Sequence, residues 1–177
     1  MSWLARAVIL LSALLCFAPC GSAQCLPAVC QLTIFLQSDA SGISLGGSGT
    51  SAATMSFGSL TAFGGTPPAG VTRSTTSTTW KLATPFDINV TCSNLLTLLP
   101  CTLLITPTFS LTAQLMSSDA IDTWQIGSTT LSSASAATLT TTGAYGQVTA
   151  YTMSLTIPFS KSSGAISNTI NFIATAN

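Results

Sequence analysis

Residues 86–92 read Phe-Asp-Ile-Asn-Val-Thr-Cys, so that Phe86, Ile88, Val90 and Cys92 alternate with polar residues. Successive side chains of a β-strand point to opposite faces of a sheet, and an alternation of period two therefore predicts a strand with one buried face and one wetted face. No long stretch of the chain repeats apolar residues at the helical spacing. The strand pattern of this segment, rather than a helical pattern, is therefore the basis for predicting the fold.

The same alternation recurs along the chain and predicts an all-β fold. It is clear in residues 32–36, 109–115, 151–157 and 170–176, and weaker in residues 53–57, 103–105, 124–126 and 137–141. Clusters of Gly, Ser, Pro and Asp separate these segments and predict turns. About seven to nine strands joined by turns favour a single antiparallel β-sandwich, with a closed barrel as the alternative.

Residues 38–70 differ from the rest because Gly, Ser and Ala dominate them. Two interpretations are open, a flexible spacer or two short strands. The alternating Thr54-Met-Ser-Phe57 favours short strands, since a spacer has no need of Met and Phe. The polar run at residues 73–80 is expected to form an exposed edge or loop.

The first 23 residues have the three parts of a secretory signal peptide. Arg6 supplies the positive charge, residues 7–17 form a short apolar run, and Gly21-Ser-Ala23 supplies the small residues of a cleavage site. The apolar run is well short of the roughly 20 residues that a membrane-spanning helix needs. We therefore expect cleavage after Ala23 rather than an uncleaved anchor, and a secreted or cell-surface domain at residues 24–177 without a membrane span.

Removal of this segment leaves four cysteines, Cys25, Cys30, Cys92 and Cys101. An even number of cysteines in an exported protein predicts two disulfides. Pairing of near neighbours, Cys25 with Cys30 and Cys92 with Cys101, is preferred, and cross-pairing between the two groups stays open. A zinc site is the less favoured alternative, because the spacings are wider than those of two tight C-x2-C pairs.

Composition excludes several kinds of chemistry. The chain has four Lys+Arg, four Asp+Glu, no His and a net charge of zero, while Ser and Thr supply 54 residues. Such a surface has no positive electrostatic field that would attract nucleic acid. The absence of His excludes catalysis by a Ser-His-Asp triad. Glu is also absent. We therefore expect no catalytic residue, no metal and no cofactor.

Asp119 and Asp122 are the one pair of neighbouring carboxylates. They could bind a calcium ion together with backbone carbonyl groups. The preferred interpretation is that they stabilise a turn by hydrogen bonds from the local backbone.

Aromatic side chains offer a route to ligand binding. Trp80, Trp124 and Tyr151 fall in register with apolar neighbours and are expected in the core, whereas Tyr145 lies in Gly143-Ala-Tyr-Gly146 and is the candidate for an exposed ring and a ligand contact. A carbohydrate- or surface-binding module that uses such a ring is therefore the alternative function.

Low charge also favours self-association, because sheet edges are usually protected by Lys or by inward-pointing charges. The only basic residues after the signal segment are Arg73, Lys81 and Lys161. The edges are then either blocked by prolines, such as Pro85, Pro107 and Pro158, or paired with another chain.

Four segments together resemble secreted bacterial pilin-like or spore-coat-U-like domains: residues 80–92, Trp124-Gln-Ile-Gly127, Thr142 to Gly146, and the C-terminal run from Tyr151 to Pro158 and from Ile170 to Asn177. The resemblance covers residues 80–177. It implies an immunoglobulin-like β-sandwich that acts as a structural subunit of a surface fibre, pilus or coat. It also implies partners, namely further subunits joined by exchange of a strand, with a periplasmic chaperone and an usher.

Overall fold

The alternating segments that the structure describes all form strands. The structure is a computed structural model, and it describes residues 30–37, 43–47, 49–94 and 108–177. The strands are β1 (Cys30–Gln37), β2 (Ile43–Leu45), β3 (Ala52–Leu60), β4 (Gly65–Thr66), β5 (Val71–Arg73), β6 (Thr79–Leu82), β7 (Phe86–Asn94), β8 (Thr108–Leu115), β9 (Thr123–Ile126), β10 (Thr129–Thr130), β11 (Ala137–Ala144), β12 (Val148–Tyr151), β13 (Met153–Thr156) and β14 (Gly164–Ala176). None of these residues forms a helix that could cross a membrane. The predicted all-β class is confirmed.

The strands form antiparallel sheets in two layers. One layer is a sheet of order β11-β8-β14-β3-β2, with β4 paired to β3. The other layer has two parts, β1-β7-β12 and β10-β9-β13-β6-β5. Strand β12 pairs with β7, and β13 pairs with β6. Since residues 83–85 alone separate β6 from β7 and Thr152 alone separates β12 from β13, the same two chain segments run through both parts and join them.

The core lies between the two layers, on the faces that the alternation predicts. Phe86 and Phe172 come from opposite layers, and their ring centroids are 6.1 Å apart. Phe57 and Trp124 meet edge to face at 5.5 Å. All four side chains are buried, and edge-to-face or offset aromatic pairs add to the free energy gained from burial alone.

The number of strands is higher than predicted, fourteen among the described residues rather than seven to nine. Two causes account for the difference. A break at residues 83–85 and another at Thr152 divide segments in which apolar residues keep the same register on both sides of the break. Strands β2, β4, β5 and β10 have two or three residues each, which is too short for an alternating pattern to be recognised.

Residues 38–70 contain strands, and one of them is long. Strand β3 has nine residues and lies between β14 and β2. Met55, Phe57 and Leu60 from it are buried. The expectation of short strands is therefore wrong for β3, because small residues such as Ala53 give little hydropathy signal yet pair along β14. Residues 38–42 and 48 lie outside the described residues.

Several other predictions also fall outside the described residues. They are the signal peptide at residues 1–23, the weak strand at 103–105, Pro107, and the cysteines Cys25 and Cys101. Cys30 lies opposite Asn94 in the pairing of β1 with β7, and Cys92 lies opposite Leu32. The disulfide connectivity stays a prediction.

Candidate functional site

A groove opens between the two layers on the side where the chain passes from β11 to β12. Its volume is about 330 Å³. Strand β11 is an edge of one layer and β12 is an edge of the other, and each pairs with one strand only among those described. The groove is lined from β11 by Leu139, Thr140, Thr142, Gly143 and Ala144, from the following segment by Gln147, Thr149 and Tyr151, and from below by Ile88, Phe109 and Leu111.

The groove exists because the layers separate at this edge. Thr149 lies opposite Ile88 in the pairing of β12 with β7, so both side chains face the inside of the sandwich. Ile88 is 2% exposed, but Thr149 is exposed. The inner face of β12 is therefore left uncovered at Thr149, while the floor below it is apolar.

One wall of the groove is irregular. The pairing of β11 with β8 shifts register twice, between Thr138 and Thr140 and again between Thr140 and Gly143. At the end of this pairing Gly143 lies opposite Phe109, and the Phe109 ring occupies the space over the glycine. A bulged strand bends away from a regular ladder, and this bend widens the opening.

Tyr145 follows β11 at the rim of the groove, and its ring is half-buried rather than freely exposed. The ring centroid lies 5.3 Å from that of Phe109. The hydroxyl donates a hydrogen bond to the carbonyl oxygen of Thr108, at 3.3 Å. Tyr145 therefore supports the groove wall, and its role as a ligand contact stays a prediction.

The edges beside the groove carry neither charge nor proline, although β11 is bulged. Strand β11 reads Ala-Thr-Leu-Thr-Thr-Thr-Gly-Ala and β12 reads Val-Thr-Ala-Tyr, without charge or proline. Two other described edges are protected, since β5 ends in Arg73 and the amide of Gly49 donates to Ile34 on β1. The edges β2 and β10 also lack charge and proline, but they have only three and two residues. Pro85 and Pro158 lie in connections between strands rather than on an edge.

Trp80 and Trp124 lie in the core, as predicted. Trp80 is 4% exposed and Trp124 is 1% exposed. Tyr151 is half-buried against Phe86, at a centroid distance of 6.1 Å. Burial raises the pKa of the Tyr151 hydroxyl.

A different pair of aromatic residues is exposed. Phe63 and Phe159 have exposed fractions of 67% and 71%, and their ring centroids are 5.1 Å apart. Sequence reasoning missed this pair because neither residue belongs to an alternating segment. Each follows or precedes a turn-forming residue, since Gly64 follows Phe63 and Pro158 precedes Phe159, and that position is the one available signal.

Asp119 stabilises a turn, in agreement with the preferred interpretation. Its Oδ1 accepts hydrogen bonds from the amides of Ile121 and Asp122, at 3.0 and 2.9 Å. Its Oδ2 accepts one from Nε1 of Trp124, at 2.8 Å. Burial raises the pKa of this carboxyl, but these hydrogen bonds outweigh burial and leave the pKa below its ordinary value. Among the described residues, no three of His, Cys, Asp and Glu come together as a metal site.

The chain was compared with protein-family models, with curated proteins and with solved structures, and none of the three comparisons gives a match. Function must therefore be argued from the groove, its edges and the surface of the described residues.

Proposed function

We propose that this protein is a secreted, non-enzymatic subunit of a bacterial surface assembly, such as a fibre, pilus or coat. The subunits join through β-strand edges. The observation that carries the proposal is the groove between β11 and β12, where two edges without charge or proline flank an apolar floor.

An extended segment from a second chain can bind this site as an added β-strand. Its backbone adds to the free edge of β12 or β11 by hydrogen bonds, and every second side chain enters the groove. Ile88 and Leu111 then provide apolar contacts, and the exposed inner face at Thr149 becomes covered. Edge pairing supplies affinity, while the shape of the groove selects the side chains that enter.

The charge of the molecule is compatible with close assembly. Its net charge is zero, and charged residues make up 5% of the chain. Repulsion between copies is therefore weak. A wetted face of Ser and Thr keeps each subunit hydrated with few charged groups.

The test is the effect of one lysine at the groove on assembly. Thr149→Lys places a charge on the inner face of the β12 edge, and Ile173→Lys is the matched control because Ile173 is 46% exposed on β14, inside the other sheet. Sedimentation velocity and negative-stain microscopy should show high-mass species for the wild type and for Ile173→Lys, and a monomer for Thr149→Lys. A monodisperse wild type at high concentration, or equal assembly of all three proteins, would refute the proposal.

A second candidate, a carbohydrate- or surface-binding module, is supported by the exposed rings of Phe63 and Phe159. Sugar rings stack on accessible aromatic faces. Retardation on a polysaccharide gel should then be lost in Phe159→Ala, with Tyr145→Ala as the comparison at the groove rim. Retardation that neither substitution reduces would count against aromatic recognition.

A further inference from the structure

Lys161 and Asp122 form a buried ion pair, and neither residue lines the groove. Nζ of Lys161 donates to Oδ2 of Asp122. The side chain of Asp122 is fully buried, and that of Lys161 is 17% exposed. The second carboxylate oxygen of Asp122, Oδ1, is buried without a hydrogen-bond partner among the described residues. A buried charge with an unsatisfied oxygen is costly, so ion pairing alone explains this arrangement poorly.

A second carboxylate lies beside the pair. Oδ1 of Asp119 accepts a hydrogen bond from the Asp122 amide at 2.9 Å, so the two aspartates are neighbours in one turn. The charge of Asp119 also acts on Asp122, and that of Lys161 acts on both carboxyl groups. Its own orientation is fixed by the three N–H donors described above. The site therefore holds an amine, a buried carboxyl group and a positioned carboxylate together.

The pKa values of the two carboxyl groups are shifted in opposite directions. Burial raises the pKa of Asp122 above its ordinary value, which favours the neutral acid. Hydrogen bonds hold the pKa of Asp119 below its ordinary value despite burial, which favours the ionised form. A pair of carboxyls whose environments separate their protonation states is the arrangement in which one acts as an acid or electrophile and the other as a base.

The surrounding backbone holds these groups in place. Asn168, which is 7% exposed on β14, accepts a hydrogen bond from the Ser117 amide and donates one to its carbonyl oxygen. The Met116 amide donates to Thr169 of the same strand. The connection that carries both aspartates is therefore anchored to β14, and Lys161 lies in the turn that leads into β14.

We infer that Lys161 and Asp122 condense to form an intramolecular amide bond, with Asp119 carrying a proton between the reacting groups. No cofactor or co-reactant is needed, because the reaction joins an amine and a carboxylic acid and releases one water molecule. The inference does not depend on the proposed function.

The condensation begins with a proton transfer within the ion pair. A proton moves from the Lys161 ammonium group to the Asp122 carboxylate, giving a neutral amine and a neutral acid. The lone pair of Nζ forms a bond to Cγ of Asp122, and the C=O π electrons move to oxygen. Asp119 accepts one proton from the new ammonium nitrogen and delivers it to the hydroxyl group. The C–O bond then breaks, water leaves, the carbonyl re-forms, and Asp119 returns to its ionised state.

The bond would tie two connections that are distant in sequence. Asp122 immediately precedes β9, and Lys161 lies between β13 and β14. A covalent link between them joins the residue before β9 to the turn before β14, which is a central strand of its sheet. Such a link would resist separation of β14 from the connection between β8 and β9 when the protein is heated or pulled.

The test is a tryptic map of the reduced, denatured full chain. Trypsin cleaves after Lys and Arg, and beyond residue 81 the sequence has one such position, Lys161. With the amide bond, residues 82–177 remain one fragment, lighter by the mass of one water molecule. Without it, trypsin releases residues 162–177 separately. Release of that fragment at full mass from the wild type would overturn the inference.

Matched variants separate the amide bond from other losses of water. Lys161→Arg keeps the positive charge but has no amine that can condense, and Asp119→Asn keeps the shape but cannot carry the proton. Both should show full mass and cleavage after position 161. Because the map is read on denatured protein, a variant that folds poorly still gives a result. A water loss that persists in Lys161→Arg would assign it to an aspartate ring closure instead and overturn the inference.

Discussion

Gly143→Ala tests whether the Phe109 ring and the backbone of β11 share the space that the structure assigns to them. A Cβ at Gly143 would lie under 3.0 Å from three outer ring carbons of Phe109. Non-bonded carbon atoms normally lie about 3.5–4.0 Å apart. The nearest ring carbon, at 2.4 Å, must therefore move by roughly 1 Å. The ring has little room to do so, because it is 5% exposed and packs on Tyr145.

The expected effect is a net loss of stability. Overpacking of this kind costs about 1–3 kcal/mol. Replacement of Gly by Ala returns about 0.4–1 kcal/mol, because the unfolded chain loses conformational freedom. The net decrease in the free energy of unfolding should be about 1–2 kcal/mol, measured by urea denaturation followed through tryptophan fluorescence. Gly164→Ala is the control, since no atom lies within 4 Å of its Cβ position, and it should be neutral or slightly stabilising.

A double mutant identifies the cause. The atoms that would collide are the outer ring carbons of Phe109, and leucine lacks them. In a Phe109→Leu background, Gly143→Ala should therefore lose most of its cost, which gives a coupling energy of about 1 kcal/mol or more. Equal costs of Gly143→Ala in both backgrounds, or no cost in the wild type, would show that the ring does not occupy this space.

Two further predictions concern the core and the turn at Asp119. Phe172→Ala should lower the free energy of unfolding by about 3–5 kcal/mol, because the ring is fully buried. Ile173→Ala, on the opposite face of the same strand, should lower it by less than about 1 kcal/mol. Similar losses for the two variants in urea denaturation would contradict the register of β14. Because the pKa of Asp119 is lowered in the folded protein from its ordinary 3.8, its contribution to stability is present above that value and is lost as the pH falls towards the folded pKa. Thermal unfolding between pH 5 and pH 2 should therefore show a steeper loss in the wild type than in Asp119→Asn, and parallel curves would exclude this role.

Much of the fold follows from local patterns. Phe86, Ile88 and Val90 alternate with polar residues, and all three are buried. Trp80 and Trp124 could be placed in the core for the same reason. The length of β3 could not be predicted, because Ala53 and Gly58 carry little hydropathy signal and owe their place in a strand to pairing with β14. The sequence does not predict the break at Thr152 either, because Tyr151 and Met153 continue the same alternation on both sides of it.

The candidate site was harder to predict than the fold. Tyr145 could be located at a turn, but its contact with Phe109 depends on how β11 pairs with β8. Phe63 and Phe159 are far apart in sequence and meet because two turns lie at the same end of the sandwich. No local pattern marks such a meeting.

The sequence by itself determined the all-β class, the faces of the strong strands and a surface wetted by Ser and Thr, because alternation and composition are properties of neighbouring residues. Only the tertiary structure decided that β11 and β12 border an open groove and that Asp122 meets Lys161 across 39 residues. These features depend on which edges remain unpaired and which turns converge. Long-range strand pairing fixes both, and a strand of given periodicity can pair with many partners.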